Sequence, residues 1–86
     1  MRIAAVELSP RIRINSVSPG PVATEIMDKS GIGDEKIQDF ILSGIPLSRF
    51  GNPEEVAKLI VYLSGDDASF ITGSEFLIDG GQSLNI

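Results

Sequence analysis

The stretch Arg11-Ile12-Arg13-Ile14-Asn15-Ser16-Val17-Ser18-Pro19-Gly20-Pro21 decides the fold of this chain. Ile12, Ile14 and Ser16 alternate onto one face and Val17 falls on the other, the period of a strand, so residues 11–18 are expected to be extended. Pro19, Gly20 and Pro21 end that strand, because prolines cannot donate to a ladder and glycine permits a tight turn. Upstream, Ile3, Val6 and Leu8 stand among alanines in a short helical pattern. Ser9-Pro10 stops it, since proline disfavours helical geometry in the residue before it. Two helical turns are marginal alone, so this end is expected to be the tail of something longer.

Downstream, residues 22–33 are small, polar and glycine-containing, with one helical turn expected at 24–27. Asp34 is placed to cap a helix over Glu35–Ser43, with Ile37, Phe40 and Ile41 on one face and Gly44 as its stop. Residues 45–51 form a connector. The strongest element follows. Asn52 takes the N-cap, Pro53 the first helical position, and Glu55 lies three residues after the cap, close to a capping box. Val56, Leu59, Ile60 and Leu63 then recur at i, i+3, i+4 and i+7 as a buried face, predicting a helix over Pro53–Ser64. Residues 66–73 read as a loop, Glu75-Phe76-Leu77-Ile78 as a second strand, and Gly80 and Gly81 as its end.

The order helix, strand, helices, strand defines an α/β chain. Its two strands, joined through helices, pair in parallel with a right-handed crossover. Both are short and strongly apolar, as strands covered on both faces tend to be. Two such strands with their connecting helices cannot cover both sheet faces and both edges. The fold is expected to be incomplete as an independent domain.

Composition narrows the function. At 86 residues the chain suffices for one small domain with a thin core. A net charge of -5 withholds the positive field that a nucleic-acid backbone needs, so no nucleic acid is expected as partner. There is no cysteine and no histidine, which removes disulfides, thiolate metal sites and every histidine-based catalytic arrangement. The longest apolar run, residues 59–63, is too short to cross a bilayer, and Glu7 interrupts the apolar start before any signal-peptide cleavage site. No membrane association and a cytoplasmic location are expected. Arg11 and Arg13 read as solvated, Asp66 and Asp67 as a capping and turn pair, and Tyr62 as a packing residue. No metal site is expected.

Five segments, in order, carry a resemblance: Val6-Glu7-Leu8-Ser9-Pro10; Arg13-Ile14-Asn15-Ser16-Val17-Ser18-Pro19-Gly20; Ile45-Pro46-Leu47-Ser48-Arg49-Phe50-Gly51; Asn52-Pro53-Glu54-Glu55-Val56-Ala57; and Phe70-Ile71-Thr72-Gly73 running on to Asp79-Gly80-Gly81. Together they resemble the C-terminal portion of the short-chain dehydrogenase/reductase family, across essentially the whole chain. No single piece is specific; their order and spacing are. The resemblance implies the last part of a doubly wound Rossmann-type parallel sheet, with residues 12–18 on the penultimate strand and Glu75–Ile78 on the last. Ligands of such sheets sit beyond the carboxyl ends of the strands.

By the same resemblance, residues 19–47 are the cofactor-facing and substrate-lid loop, and the cofactor is NAD or NADP. The Val22 backbone would bond the nicotinamide carboxamide, Pro19 and Gly20 would let the chain pass close to the ring, and Thr24 would contact carboxamide or pyrophosphate. Read without the resemblance, Pro19-Gly20-Pro21 is a turn and Thr24 an ordinary N-cap. The implied activity is an oxidoreductase moving hydride between nicotinamide and a small alcohol or carbonyl substrate, in a homo-oligomer. The family's glycine-rich turn and its Tyr-x-x-x-Lys have no counterpart in these 86 positions, so no catalytic residue is assigned. Tyr62 follows Lys58 in the reverse order. The isolated chain is therefore expected to be inactive; the alternative is a non-catalytic truncated α/β module that self-associates.

Overall fold

The computed structural model describes residues 1–23 and 35–84. Helix α1 (Arg2–Leu8) leads to strand β1 (Ser16–Pro19). Helices α2 (Glu35–Ser43) and α3 (Pro53–Ser64) and a short 3-10 turn (Asp66–Ala68) then precede strand β2 (Glu75–Ile78), with a second 3-10 turn at Gln82–Leu84. The expected helical turn at 24–27, the Asp34 cap and Thr24 lie outside the described residues.

β1 and β2 pair in parallel, with Ser16 opposite Glu75 and Pro19 opposite Ile78. The expected strand over residues 11–18 is corrected to Ser16–Pro19. Ahead of Ser16 the chain is held by side chains as well as backbone. The Ile14 N–H donates to Thr72 Oγ1 at 3.1 Å, and Asn15 bonds the Ile71 carbonyl and the Ser74 N–H at 3.0 Å each. Regular pairing starts where the Ser16 N–H reaches the Ser74 carbonyl at 3.0 Å. Pro19 belongs to the strand rather than ending it. Ser16 and Gly20 donate toward β2, so the missing proline N–H falls on the opposite edge and no ladder bond is lost.

α3 keeps its sequence-read bounds. Asn52 is extended, and its N–H donates to Glu55 Oε1 at 3.0 Å, the Glu55 half of a capping box. Arg13, expected to be solvated, instead secures the other end of this helix. Its guanidinium donates to the C-cap carbonyl of Gly65, a cation at a helix C-terminus, and to the carbonyl of Ile71 in the loop ahead of β2, both at 3.1 Å. Asp66 and Asp67 open the 3-10 turn, as expected, but the turn has no side-chain capping bond.

The core is thin: among the described residues only Ala5, Ile45, Leu63 and Ala68 are buried. The α3 stripe is only partly covered, with Leu63 at 7% exposure and Ile60 at 48%. On α2 the apolar face is open, Phe40 standing 80% exposed. The accessible surface is 6587 Å², against about 4,900 Å² for a folded monomer of this mass. A radius of gyration of 15.9 Å exceeds the roughly 12 Å of a compact domain of this length. Large apolar side chains stand exposed on both α2 and α3, among them Phe40, Ile60 and Val61, as expected of a fold with only two strands.

Candidate functional site

The carboxyl ends of β1 and β2 converge on one pocket of about 100 Å³, lined in part by Pro21, Val22, Leu47, Gly51, Val56 and Asp79. Sites that enclose a small molecule run to about 300–1,000 Å³. The described residues thus make one wall of a site rather than a complete cleft.

Val22 forms an isolated parallel bridge with Gly51. The bridge uses the neighbours' groups: Gly51 N–H donates to the Pro21 carbonyl at 3.0 Å, and Ala23 N–H donates to the Gly51 carbonyl at 2.9 Å. In a parallel ladder the intervening residue turns its own N–H and C=O to the other side. Neither group of Val22 bonds a described residue. A donor and an acceptor one peptide apart remain available on that side, which is the complement of a carboxamide.

Gly20 has a reason inside the chain. Its N–H donates to the Ile78 carbonyl at 3.0 Å, and a Cβ built there would lie 2.6 Å from Asp79 Cβ and 2.9 Å from Asp79 Cα. Two backbones pass too closely for any side chain. Asp79 itself is structural. Its carboxylate accepts from Ser83 Oγ at 2.7 Å, from Gly81 N–H at 2.9 Å and from Ser83 N–H at 3.1 Å. The Ser83 hydroxyl first, and then the Gly81 amide, hold its carboxyl below the ordinary range. Gly80 and Gly81, at φ +64 and +92, wrap this cap against Ile45 and Pro46, and Leu47 N–H donates to the Gly80 carbonyl at 3.1 Å. Pro19 is exposed at the strand end, and Thr24 is outside the described residues.

Sequence reasoning missed an ion pair at the pocket rim. Arg49, read only as connector, meets Glu55 bidentately at 2.8 and 3.0 Å and also donates to the Phe50 carbonyl at 3.1 Å. Glu55 carried a capping signal, but no local spacing rule links it to a residue six positions earlier, before the helix starts. The Arg49 guanidinium, followed by the Asn52 amide, pulls the Glu55 carboxyl down from 4.5 to about 2. A depressed carboxylate contributes stability above its unfolded value, and that contribution is lost as pH falls through the folded one. Stability is accordingly expected to lose a component between pH 4.5 and about 2 that Glu55→Gln lacks. Because both side chains are about half exposed, salt should shrink that component. Urea midpoints of the two chains, measured from pH 6 down to 2.5 at two ionic strengths, check this.

Tyr62, expected to pack, is instead half exposed, its hydroxyl 3.5 Å from the Asp67 carbonyl, and the described residues hold no cluster suited to a metal ion. No helix among the described residues is long and apolar enough to cross a membrane.

Two parallel strands joined through helices are the architecture of the closing part of a doubly wound Rossmann-type sheet. The family model described as enoyl-(acyl carrier protein) reductase matches residues 1–83, and the chain belongs to the short-chain dehydrogenase/reductase family. Among curated relatives, the 3-oxoacyl-[acyl-carrier-protein] reductase FabG of Thermotoga maritima is 47% identical over 78 residues, covering 90% of this chain and 30% of that protein. The L-rhamnose 1-dehydrogenase (NAD(P)(+)) of a Sphingomonas species is 39% identical over 87 residues, covering 100% of this chain and 34% of its own. Among solved structures, 4-hydroxyisoleucine dehydrogenase complexed with NADH superposes with a TM-score of 0.89 at 36% identity, covering 99% of this chain and 35% of that one. The chain thus spans about a third of the length of these relatives. NAD or NADP is the cofactor of the family.

Proposed function

We propose that this chain supplies the nicotinamide-facing wall, residues 19–23, and the adjoining substrate-lid segment of an NAD(P)-dependent oxidoreductase acting on an alcohol or carbonyl carbon. The observation that carries the reading is the Val22 peptide pair, an N–H and a C=O left unbonded by described residues at the carboxyl ends of two parallel strands. Val22 would bind and orient the carboxamide. Pro19, Gly20 and Thr24 are proposed beside it on the resemblance, Gly20 by removing bulk where the strands approach. NAD(P), when bound, supplies the hydride acceptor or donor. What this chain contributes is orientation of the ring through fixed peptide groups, which cost no reorganisation during reaction. The proton-transfer residues of the family are absent from these positions.

Two measurements test the proposal. The 86-residue chain alone should give no steady NAD(P)H absorbance change with any alcohol or ketone. A chimera that joins the first two-thirds of the Thermotoga reductase to this chain should bind NADH or NADPH and turn over a carbonyl substrate. A folded chimera that binds neither would refute the reading. The open apolar surface of α2 and α3 favours a second reading, a self-associating non-catalytic module, in which sedimentation of the chain alone shows dimers or larger species rather than a monomer.

A further inference from the structure

We infer that Arg49 and Glu55 are positioning residues for the cofactor-facing peptide of Val22, acting through the two peptide units that flank Gly51. The inference rests on the reading of Val22 given above. Each of those peptide units has one end on residues 21–23 and the other end on the ion pair. In the Phe50–Gly51 unit, the N–H donates to the Pro21 carbonyl at 3.0 Å while the C=O accepts from the Arg49 guanidinium at 3.1 Å. In the Gly51–Asn52 unit, the C=O accepts from the Ala23 N–H at 2.9 Å while the N–H donates to Glu55 Oε1 at 3.0 Å. The bidentate contact between Arg49 and Glu55 then locks the two anchors to each other.

Rotation of either peptide plane therefore has to break a charge-assisted bond on one side before it can release Val22 on the other. Glu55 is in turn fixed in the first turn of α3, so the register of the loop is referred to a rigid helix rather than to neighbouring loop residues. As a stabilising ion pair this contact would count for little, because both partners are about half exposed. Its geometry suits orientation. Gly51 is the residue through which the pair acts, and it sits between two peptides that both need fixing.

Amide hydrogen exchange in the whole 86-residue chain separates this role from general destabilisation. In Arg49→Lys, which keeps the charge but loses the planar fork, and in Glu55→Gln, the Ala23 and Gly51 amides are expected to exchange about tenfold faster. The Gly20 and Gly73 amides, bonded to Ile78 and Ile14, should hold their wild-type rates. In the chimera described above, both substitutions should raise KM for whichever of NADH and NADPH it uses about tenfold with kcat changed less than about twofold, the split expected when ground-state and transition-state binding are lost equally. Unchanged exchange at Ala23 and Gly51, or exchange that accelerates there only together with Gly20 and Gly73, overturns the inference. So does a KM for that same cofactor that ignores both substitutions in a chimera that binds it. A wild-type chimera that binds no cofactor would sink the Val22 reading instead, so the two failures are distinguishable.

Discussion

Gly20→Ala is expected to destabilise the chain by about 3 kcal/mol, the upper part of the range for forcing bulk into a closed contact. The added Cβ would meet Asp79 Cβ at 2.6 Å and Asp79 Cα at 2.9 Å, and neither atom is the far end of a flexible side chain. Relief requires moving the end of β2 away from β1. That breaks the bond from Gly20 N–H to the Ile78 carbonyl and disturbs the Asp79 carboxylate that caps residues 81–83. Both strand ends that face the candidate site would loosen together. Gly51→Ala, only a bridge away, is the control. Its Cβ would find nothing nearer than 3.8 Å, and its φ is not left-handed, so a change within about 0.5 kcal/mol is expected. Urea unfolding of the two variants, followed by far-UV circular dichroism, should place the Gly20→Ala midpoint below that of Gly51→Ala by about 1 M or more. Equal midpoints would show that β1 and β2 do not approach at Gly20 as described.

The two glycines show how far the sequence could be read. Both sit in turn-rich strings, Ser-Pro-Gly-Pro and Arg-Phe-Gly-Asn, and nothing local says which one a side chain would ruin. That information lies in a parallel contact between residues 20 and 79, which no local pattern encodes. The helices were legible because their signals are local: α3 announced itself through Asn52, Pro53, Glu55 and a four-residue apolar stripe, and its bounds held. β1 was legible in kind but not in extent. Alternation of Ile12 and Ile14 continues back past Ser16, yet Ile12 N–H turns back to the Leu8 carbonyl and Ile14 N–H goes to the Thr72 hydroxyl rather than into a ladder. Arg13 is the sharpest miss. Next to a solvated-looking Arg11, it closes a helix whose last residues are some 50 positions away in the chain, and only the pairing of β1 with β2 brings them together. Arg49 and Glu55 were hidden for the same reason. Each had a complete local explanation, so nothing in the string called for a second one.

Leu63→Ala and Ile60→Ala ask whether the open face of α3 stays open in solution. Leu63 is 7% exposed, and truncating it should cost about 3 kcal/mol through lost transfer energy and the cavity left behind. Ile60 belongs to the same stripe one turn earlier but is 48% exposed, so in a monomeric chain its truncation should cost about 1 kcal/mol or less. Both substitutions have similar helix-propensity effects, so the difference between them reports coverage of the face. With so few buried residues, the loss at Leu63 should remove most of the cooperative transition seen by urea unfolding. If the chain self-associates through this face, Ile60 becomes interfacial. Its cost should then approach that of Leu63 and grow with protein concentration, since association stabilises by mass action. Measuring both variants at about 5 and 200 μM therefore decides between an open face and a covered one. A concentration-independent cost at Ile60 near 1 kcal/mol would mean that the apolar surface on α3 stays uncovered in the chain by itself. That surface would then be available to the two-thirds of the fold that the family's longer members carry ahead of it.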